Sequence, residues 1–275
     1  MSVKQLFITT SFLLSFSGLA SAQSSWLHDF EFGLSVAQKS GRLALVDFWA
    51  TWCGPCKAMD REVWNTPEAA AFSQHFVPIK IDVDQERGLA TTYGVQAIPL
   101  VLIMDYTGKV LYSERGYSGR QTLLKILESI PADVSEYYSK LALIEKESPP
   151  EQLRDVGLAL QMISARTTSG QLRNSLLNQG DVYLKKARKS AETDEFETEI
   201  ALWLILSDVH RNRASKVVKE IAEISAKGLT PRNEAISYWV LSEAYRSLKD
   251  DENHTKYARL LSEHPSAAEL PRTNP

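Results

Sequence analysis

Cys53 and Cys56 are the only cysteines in this chain of 275 residues, and they stand three positions apart. A disulfide-stapled scaffold needs many more cysteines, and a closed structural zinc site needs four ligands. With no second pair and His75 as the nearest histidine, neither architecture fits. The fold must rest on an apolar core, and a composition 44% hydrophobic and 24% charged suits a soluble globular protein. The length allows one large domain or two ordinary ones. With 31 Lys+Arg against 34 Asp+Glu and a formal charge of −3, no block of like charge points to nucleic acid or an anionic membrane as partner.

The motif Cys53-Gly54-Pro55-Cys56 reads as the start of a helix, because proline is tolerated in a helix's first turn and not in its interior. Side chains at i and i+3 then share a face, with Cβ atoms roughly 5–6 Å apart. A small adjustment reaches the separation of about 3.8 Å that a disulfide needs. Cys53, at the helix N-terminus, sits where free N–H groups and the helix dipole favour a thiolate. It is expected to be the exposed attacking sulfur, with Cys56 one turn deeper as the resolving thiol. A metal site or a static structural disulfide are the alternative readings of such a pair. No cofactor is expected.

Residues 1–22 carry one charge, Lys4, then an apolar stretch from Leu6 to Leu19, then Ala20-Ser21-Ala22. This pattern reads as a secretory signal peptide cleaved after Ala22, which places the chain in the periplasm or otherwise outside the cytosol. The alternative is an uncleaved anchor helix, for which the stretch is short against the roughly 20 apolar residues of a span. No other apolar run is as long, so no stable membrane insertion is expected after cleavage. Outside the cytosol a cysteine pair tends to oxidise unless something reduces it.

Nine of the 13 glycines lie at or before Gly119, and no proline occurs between Pro150 and Pro231. The chain therefore divides into a signal segment 1–22, a mixed α/β region 23–131 and a helical region 132–275. In the α/β region, Phe30, Leu34 and Ala37 recur at helical spacing, with Gly41 as a stop. Leu43–Trp49 is an apolar run broken only by Asp47, as expected of a strand buried on both faces. Thr66 caps a further helix at Pro67, Phe76–Val83, Leu100–Asp105 and Val110–Ser113 read as strands, and Gln121–Ile130 as an amphipathic helix. In the helical region, Ser148-Pro149-Pro150-Glu151 reads as a capping box, and Thr230-Pro231 repeats the device. An offset of 35 residues lays Glu199–Arg211 over Glu234–Arg246, with Trp203 on Tyr238 and Leu206 on Leu241. That period resembles tetratricopeptide repeats; a generic array of helical hairpins is the plainer alternative. The charge cluster Glu192–Glu199 reads as a solvated helix entrance, and His28, His210, His254 and His264 as solvated or capping residues.

Four segments then carry a closer resemblance: Val46-Asp47-Phe48-Trp49-Ala50, Trp52-Cys53-Gly54-Pro55-Cys56-Lys57, Ile81-Asp82-Val83-Asp84-Gln85 and Tyr93-Gly94-Val95-Gln96-Ala97-Ile98-Pro99. In order and spacing, across residues 26–131, they resemble thioredoxin. The resemblance implies an α/β thioredoxin fold, followed here by an all-α helical-hairpin, tetratricopeptide-like domain. It implies that Pro99 is the cis-proline facing the disulfide, and that Asp47 is the buried carboxylate moving the proton of Cys56. Lys80 falls where the family places that carboxylate's partner, and Trp52, Gly54, Pro55 and Ile98 fall on the substrate-binding loops. A lone carboxylate in an apolar strand should independently have a raised pKa; a strand-end cap is its alternative role.

Three departures from plain thioredoxin stand out: the segment Trp26–Gly41 ahead of the first strand, a changed continuation over Met59–Glu68, and the helical half. The first two look more like the exported group that includes the C-terminal periplasmic domain of the Dsb membrane electron transporter. The expectation is an exported thiol-disulfide oxidoreductase that reduces protein disulfides and takes electrons from a membrane thiol reductase. The rival is a client-binding helical-repeat protein, chaperone or isomerase-like, whose redox domain is secondary.

Overall fold

The structure, a computed structural model, describes residues 26–271; the expected signal peptide lies outside the described residues. Helix α1 (Phe30–Ser40) starts where Asp29 accepts the N–H of Phe32 and stops at Gly41, whose φ of 64° suits a residue without Cβ. Strand β1 (Leu43–Trp49) follows, then α2 (Gly54–Met59), a π-helical turn (Asp60–Trp64) and α3 (Pro67–Phe72), capped by Thr66 as expected. Strand β2 (Phe76–Asp82), helix α4 (Arg87–Thr92), β3 (Leu100–Met104), β4 (Val110–Arg115) and α5 (Arg120–Glu128) complete the α/β part. Helix α4 and the π-helical turn are additions to the elements read from sequence. Helix α4 has no buried residue, so no apolar periodicity announced it.

The sheet order is β2-β1-β3-β4, with β1 parallel to β2 and both other pairs antiparallel. Alternation along β1 splits the core in two. Ala44, Val46 and Phe48 face a cluster with Leu34 and Ala37 of α1. Leu43 and Leu45 face the other cluster, under Met59 of α2, Val63 and Trp64 of the π-helical turn, and Leu123, Ile126 and Leu127 of α5. Asp47 shares parity with Leu43 and Leu45, so its side chain falls on the face covered by α2 and the π-helical turn.

The helical part runs through α6 (Ser135–Leu141), α7 (Pro150–Ala165), α8 (Gly170–Lys189), α9 (Asp194–His210), α10 (Ala214–Ser225), α11 (Pro231–Leu248) and α12 (Asp251–Glu263). Helices α6, α7 and α8 continue the sheet-side core: Tyr137, Val156, Leu160, Leu172 and Leu176 belong to the same cluster as Leu43 and Ile103. A separate cluster joins α7 and α8 to α9, α10 and α11. Gly157 and Gly180 let α7 and α8 approach closely, since a Cβ at Gly180 would stand 2.9 Å from the Gly157 carbonyl oxygen.

Thr230 caps α11 as expected, but Ser148 does not cap α7. Its hydroxyl bonds the backbone of Glu145, and Pro149 takes the cap position. Within Glu192–Glu199, Glu199 departs from the solvated reading: it is buried between Arg154 and Arg232 and accepts from the Trp203 indole. His210 is half-buried, and burial pushes its ring down to about 4, with Arg173 adding to the effect. The 35-residue offset aligns α9 with α11, and Trp203 of α9 packs edge-on against Trp239 of α11, with ring centroids 5.5 Å apart.

Candidate active site

Strand β1 ends at Trp49, and the chain turns through Ala50, Thr51 and Trp52 into α2, whose N-cap is Cys53. Cys53 and Cys56 form a disulfide with Cα atoms 5.3 Å apart, the short reach that i,i+3 spacing on a first turn provides. The Cys56 N–H donates to Cys53 Sγ at 3.2 Å, so the sulfur itself caps the helix. A sulfur there stands at the positive end of the peptide dipoles, which favours its thiolate once the bond is opened. Cys53 was expected to be exposed; in the disulfide it is 3% exposed, against 1% for Cys56. The pair packs with Ala50 under Trp49, Val83 and Ile98.

Pro99 is buried beside this cluster, and the Ile98–Pro99 peptide bond is cis. Its carbonyl accepts from Gly116 N, which joins the loop before β3 to the end of β4. Gly54 and Pro55 are exposed, and a side chain built at Gly54 would meet nothing within 4 Å, so the surface above the disulfide is open. Trp52 stands 66% exposed beside it, held by its indole N–H on Asp84 Oδ2 at 2.8 Å. Trp49, read as core, is half-buried, with Lys80 Nζ 4.8 Å from its ring centroid.

Asp47 lies on the face of β1 that α2 and the π-helical turn cover. The β1–β2 register sets it directly beside Lys80, and the β1–β3 register opposite Val101. Lys80 Nζ stands 3.7 Å from Asp47 Oδ2, outside hydrogen-bond range, because the ammonium pairs closely with Asp60. Trp64 donates its indole N–H to the same Oδ2 at 3.1 Å. Oδ1 is buried with no protein partner. Burial pushes the Asp47 carboxyl up to about 7; Lys80 works against that, Asp60 adds to it, and the Trp64 hydrogen bond pulls it down.

The structure therefore brings together Cys53, Cys56, Asp47, Lys80, Ile98 and Pro99 with Trp52, Gly54 and Pro55, all singled out from sequence. It adds Asp60 and Trp64. Their signal was present: Cys56, Asp60 and Trp64 recur every fourth residue after the motif, a spacing that keeps side chains on one helix face. Among the described residues, no cluster of three or more His, Cys, Asp or Glu side chains is placed to hold a metal ion, and no helix is long and apolar enough to cross a membrane.

The thioredoxin family profile matches residues 24–130. Thioredoxin of Bacillus subtilis is 33% identical over 91 residues, 33% of this chain and 85% of the relative. Protein disulfide-isomerase tigA of Aspergillus niger is 35% identical over 133 residues, 47% of this chain and 35% of the relative. Among solved structures, a thioredoxin of Nicotiana alata is 32% identical, covering 37% of this chain and 84% of its own, with a TM-score of 0.30. With a Cys-X-X-Cys disulfide at a helix N-terminus, this chain belongs to the thioredoxin family and is a thiol-disulfide oxidoreductase.

Proposed function

We propose that the protein is an exported reductase of protein disulfides. The observation that carries the chemistry is a disulfide at the start of α2 together with a buried carboxyl, on the strand face that α2 covers, whose pKa stands near 7. In the reduced enzyme the Cys53 thiolate attacks a substrate disulfide, forms a mixed disulfide and releases one substrate thiolate, which takes up a proton. Asp47 accepts the proton of the Cys56 thiol. The Cys56 thiolate displaces the second substrate sulfur from Cys53, closing the Cys53–Cys56 disulfide, so two electrons pass to the substrate. A carboxyl titrating near neutrality can take this proton and give it back when the pair is reduced again. Pro99 and Ile98 hold the substrate strand, Trp52, Gly54 and Pro55 form the open surface it lies on, and Lys80 supports the Asp47 charge.

The Gly54-Pro55 dipeptide, shared with thioredoxin, supports the reducing direction, and the leader-like residues 1–22 support export. A reductase outside the cytosol needs a dithiol donor, and a membrane thiol reductase fits that need. Trapping of free thiols in living cells tests the reading: Cys53 and Cys56 should be mostly reduced, and a mostly oxidised pair would reverse the assigned direction.

The second reading, a helical platform that recruits clients, is favoured by the separate core of α7–α11, which contains no sheet residue. Truncation after α8 keeps every residue of the sheet-side cluster. If that shorter chain reduces all clients as fast as the full one, the platform has no part in the reaction.

A further inference from the structure

Resting on the reading of Asp47 as proton acceptor for Cys56, we propose that Trp64 is a positioning residue: its indole N–H holds Oδ2 of Asp47 so that Oδ1 exchanges the proton with Cys56. Trp64 is 3% exposed and provides the only hydrogen bond to the Asp47 side chain among the described residues. Lys80, the obvious partner by register, is drawn to Asp60 and approaches only Oδ2, at 3.7 Å. Both positive poles thus lie on one oxygen, and the other is buried without a protein partner.

The chemistry of the donor matters. An indole N–H donates and cannot accept, so a proton arriving at Asp47 is disfavoured on the oxygen that the indole already occupies. It goes to Oδ1. The indole does not titrate, so it holds Oδ2 in both protonation states, as a lysine shared with a second carboxylate does not. The transfer is balanced: the Cys56 S–H bond breaks, an O–H bond forms at Asp47 Oδ1, and the Cys56 thiolate attacks Cys53 Sγ of the mixed disulfide, breaking the Cys53–substrate S–S bond and releasing the substrate sulfur as a thiolate.

The π-helical turn delivers Trp64 to this place. Its i→i+5 bond from Asn65 N to Asp60 O, 2.9 Å, inserts one residue into the helix after the motif, a distortion often found at functional sites. The ring is then fixed edge-on against Trp26, with centroids 5.1 Å apart. The charged and polar groups facing Asp47 are Lys80 from β2 and Asp60 and Trp64 from the π-helical turn, and the neutral Val101 of β3 pairs with it across the sheet. A filler role in the core would need only the ring. The positioning role needs the N–H.

Trp64→Phe separates the two. Removing a donor from the carboxylate raises its pKa, so the acid limb of the pH-rate profile for single-turnover reduction of a peptide disulfide should move about one pH unit upward, with KM unchanged. An unmoved limb in a folded Trp64→Phe protein would overturn the proposal. A second measurement needs no altered fold: in the oxidised wild-type chain the Trp64 indole N–H resonance should titrate with a midpoint near that of Asp47, and the titration should vanish in Asp47→Asn. A resonance that does not titrate would equally overturn it. If the acid limb survives unchanged in Asp47→Asn, the acceptor reading itself fails, a result distinct from a Trp64→Phe profile that fails to move while the Asp47→Asn limb is lost.

Discussion

Two aspartates with no solvent exposure lie towards opposite ends of the same sheet, and they are supplied very differently. Asp105, directly after β3, has four donors: Thr107 N at 2.8 Å, Thr107 Oγ1 at 2.6 Å and Lys109 N at 3.2 Å on Oδ1, and Tyr137 Oη at 2.7 Å on Oδ2. Asp47, inside β1 on the face that α2 covers, has the Trp64 indole alone at hydrogen-bond distance. The first carboxyl ties the β3–β4 turn to α6. The second is under-supplied, and burial pushes it up to about 7. Burial is common to both; what separates them is the supply of donors, and a buried charge short of donors is expensive to hold.

The strongest way to break this comparison is to show that the chemistry is elsewhere. Cys53→Ser should abolish turnover of a peptide disulfide down to the uncatalysed rate. Cys56→Ser should accumulate mixed disulfides through Cys53, visible as nonreducing gel adducts or by mass. Turnover retained in Cys53→Ser would remove the reason for calling this end of the sheet the reactive one.

Next comes the dependence of stability on pH. A carboxyl raised from 3.8 to about 7 holds its proton in the folded state while the unfolded chain has already lost it, so stability falls as pH rises between those values. Above pH 7 the whole loss is present, on the order of 4 kcal/mol by the conversion of one pKa unit to about 1.4 kcal/mol. Asp47→Asn should therefore gain stability relative to wild type at pH 8 and not at pH 4, in urea unfolding at both values. A difference between the two proteins that is flat across pH would show that Asp47 is no less well supplied than Asp105.

Asp105→Ala should act in the opposite way. Stripping the acceptor from four donors, of which the Tyr137 hydroxyl is buried, should cost about 2 kcal/mol of stability, and turnover per folded molecule should stay unchanged. A loss of turnover at full folding would mean that the two ends are coupled.

Much of this contrast could be read in the residues, and the unread part has definite causes. Asp47 was conspicuous because an ionisable group interrupts an apolar strand, and the strands were found because their residues are buried in runs. The motif cysteines and Pro99 came from spacing and resemblance. Asp105 was read as a strand end; its donors Thr107 and Lys109 are local, but Tyr137 lies 32 residues on, and only the docking of α6 joins them. Asp60 and Trp64 were missed although they continue the spacing of Cys56, because an i→i+5 turn has no residue signature and the region reads as a break. Burial of Glu199 depends on Arg154 and Arg232, each more than 30 residues away, so its acidic neighbours gave the opposite impression. The tetratricopeptide-like period concerns how hairpins stack, which side-chain identity at one offset constrains weakly.

The smallest expected effect gives the sharpest contrast. Tyr137→Phe removes one neutral donor from Asp105, as Trp64→Phe removes one from Asp47, and each leaves an aromatic ring in place. Tyr137 is 1% exposed, and burial together with Asp105 raises its hydroxyl far above the ordinary phenol range, so it donates at every working pH. Its loss leaves Oδ2 unpaired while three donors still hold Oδ1, and should cost about 1–2 kcal/mol. Because those three remain and Asp47 keeps its own partner, neither the pH-rate profile nor the stability profile should change shape. Parallel measurements on the two Phe variants then decide the matter: a vertical drop in stability for one, a sideways move of the pH profile for the other. If Tyr137→Phe also moves the profile sideways, donor supply is not what distinguishes the two ends.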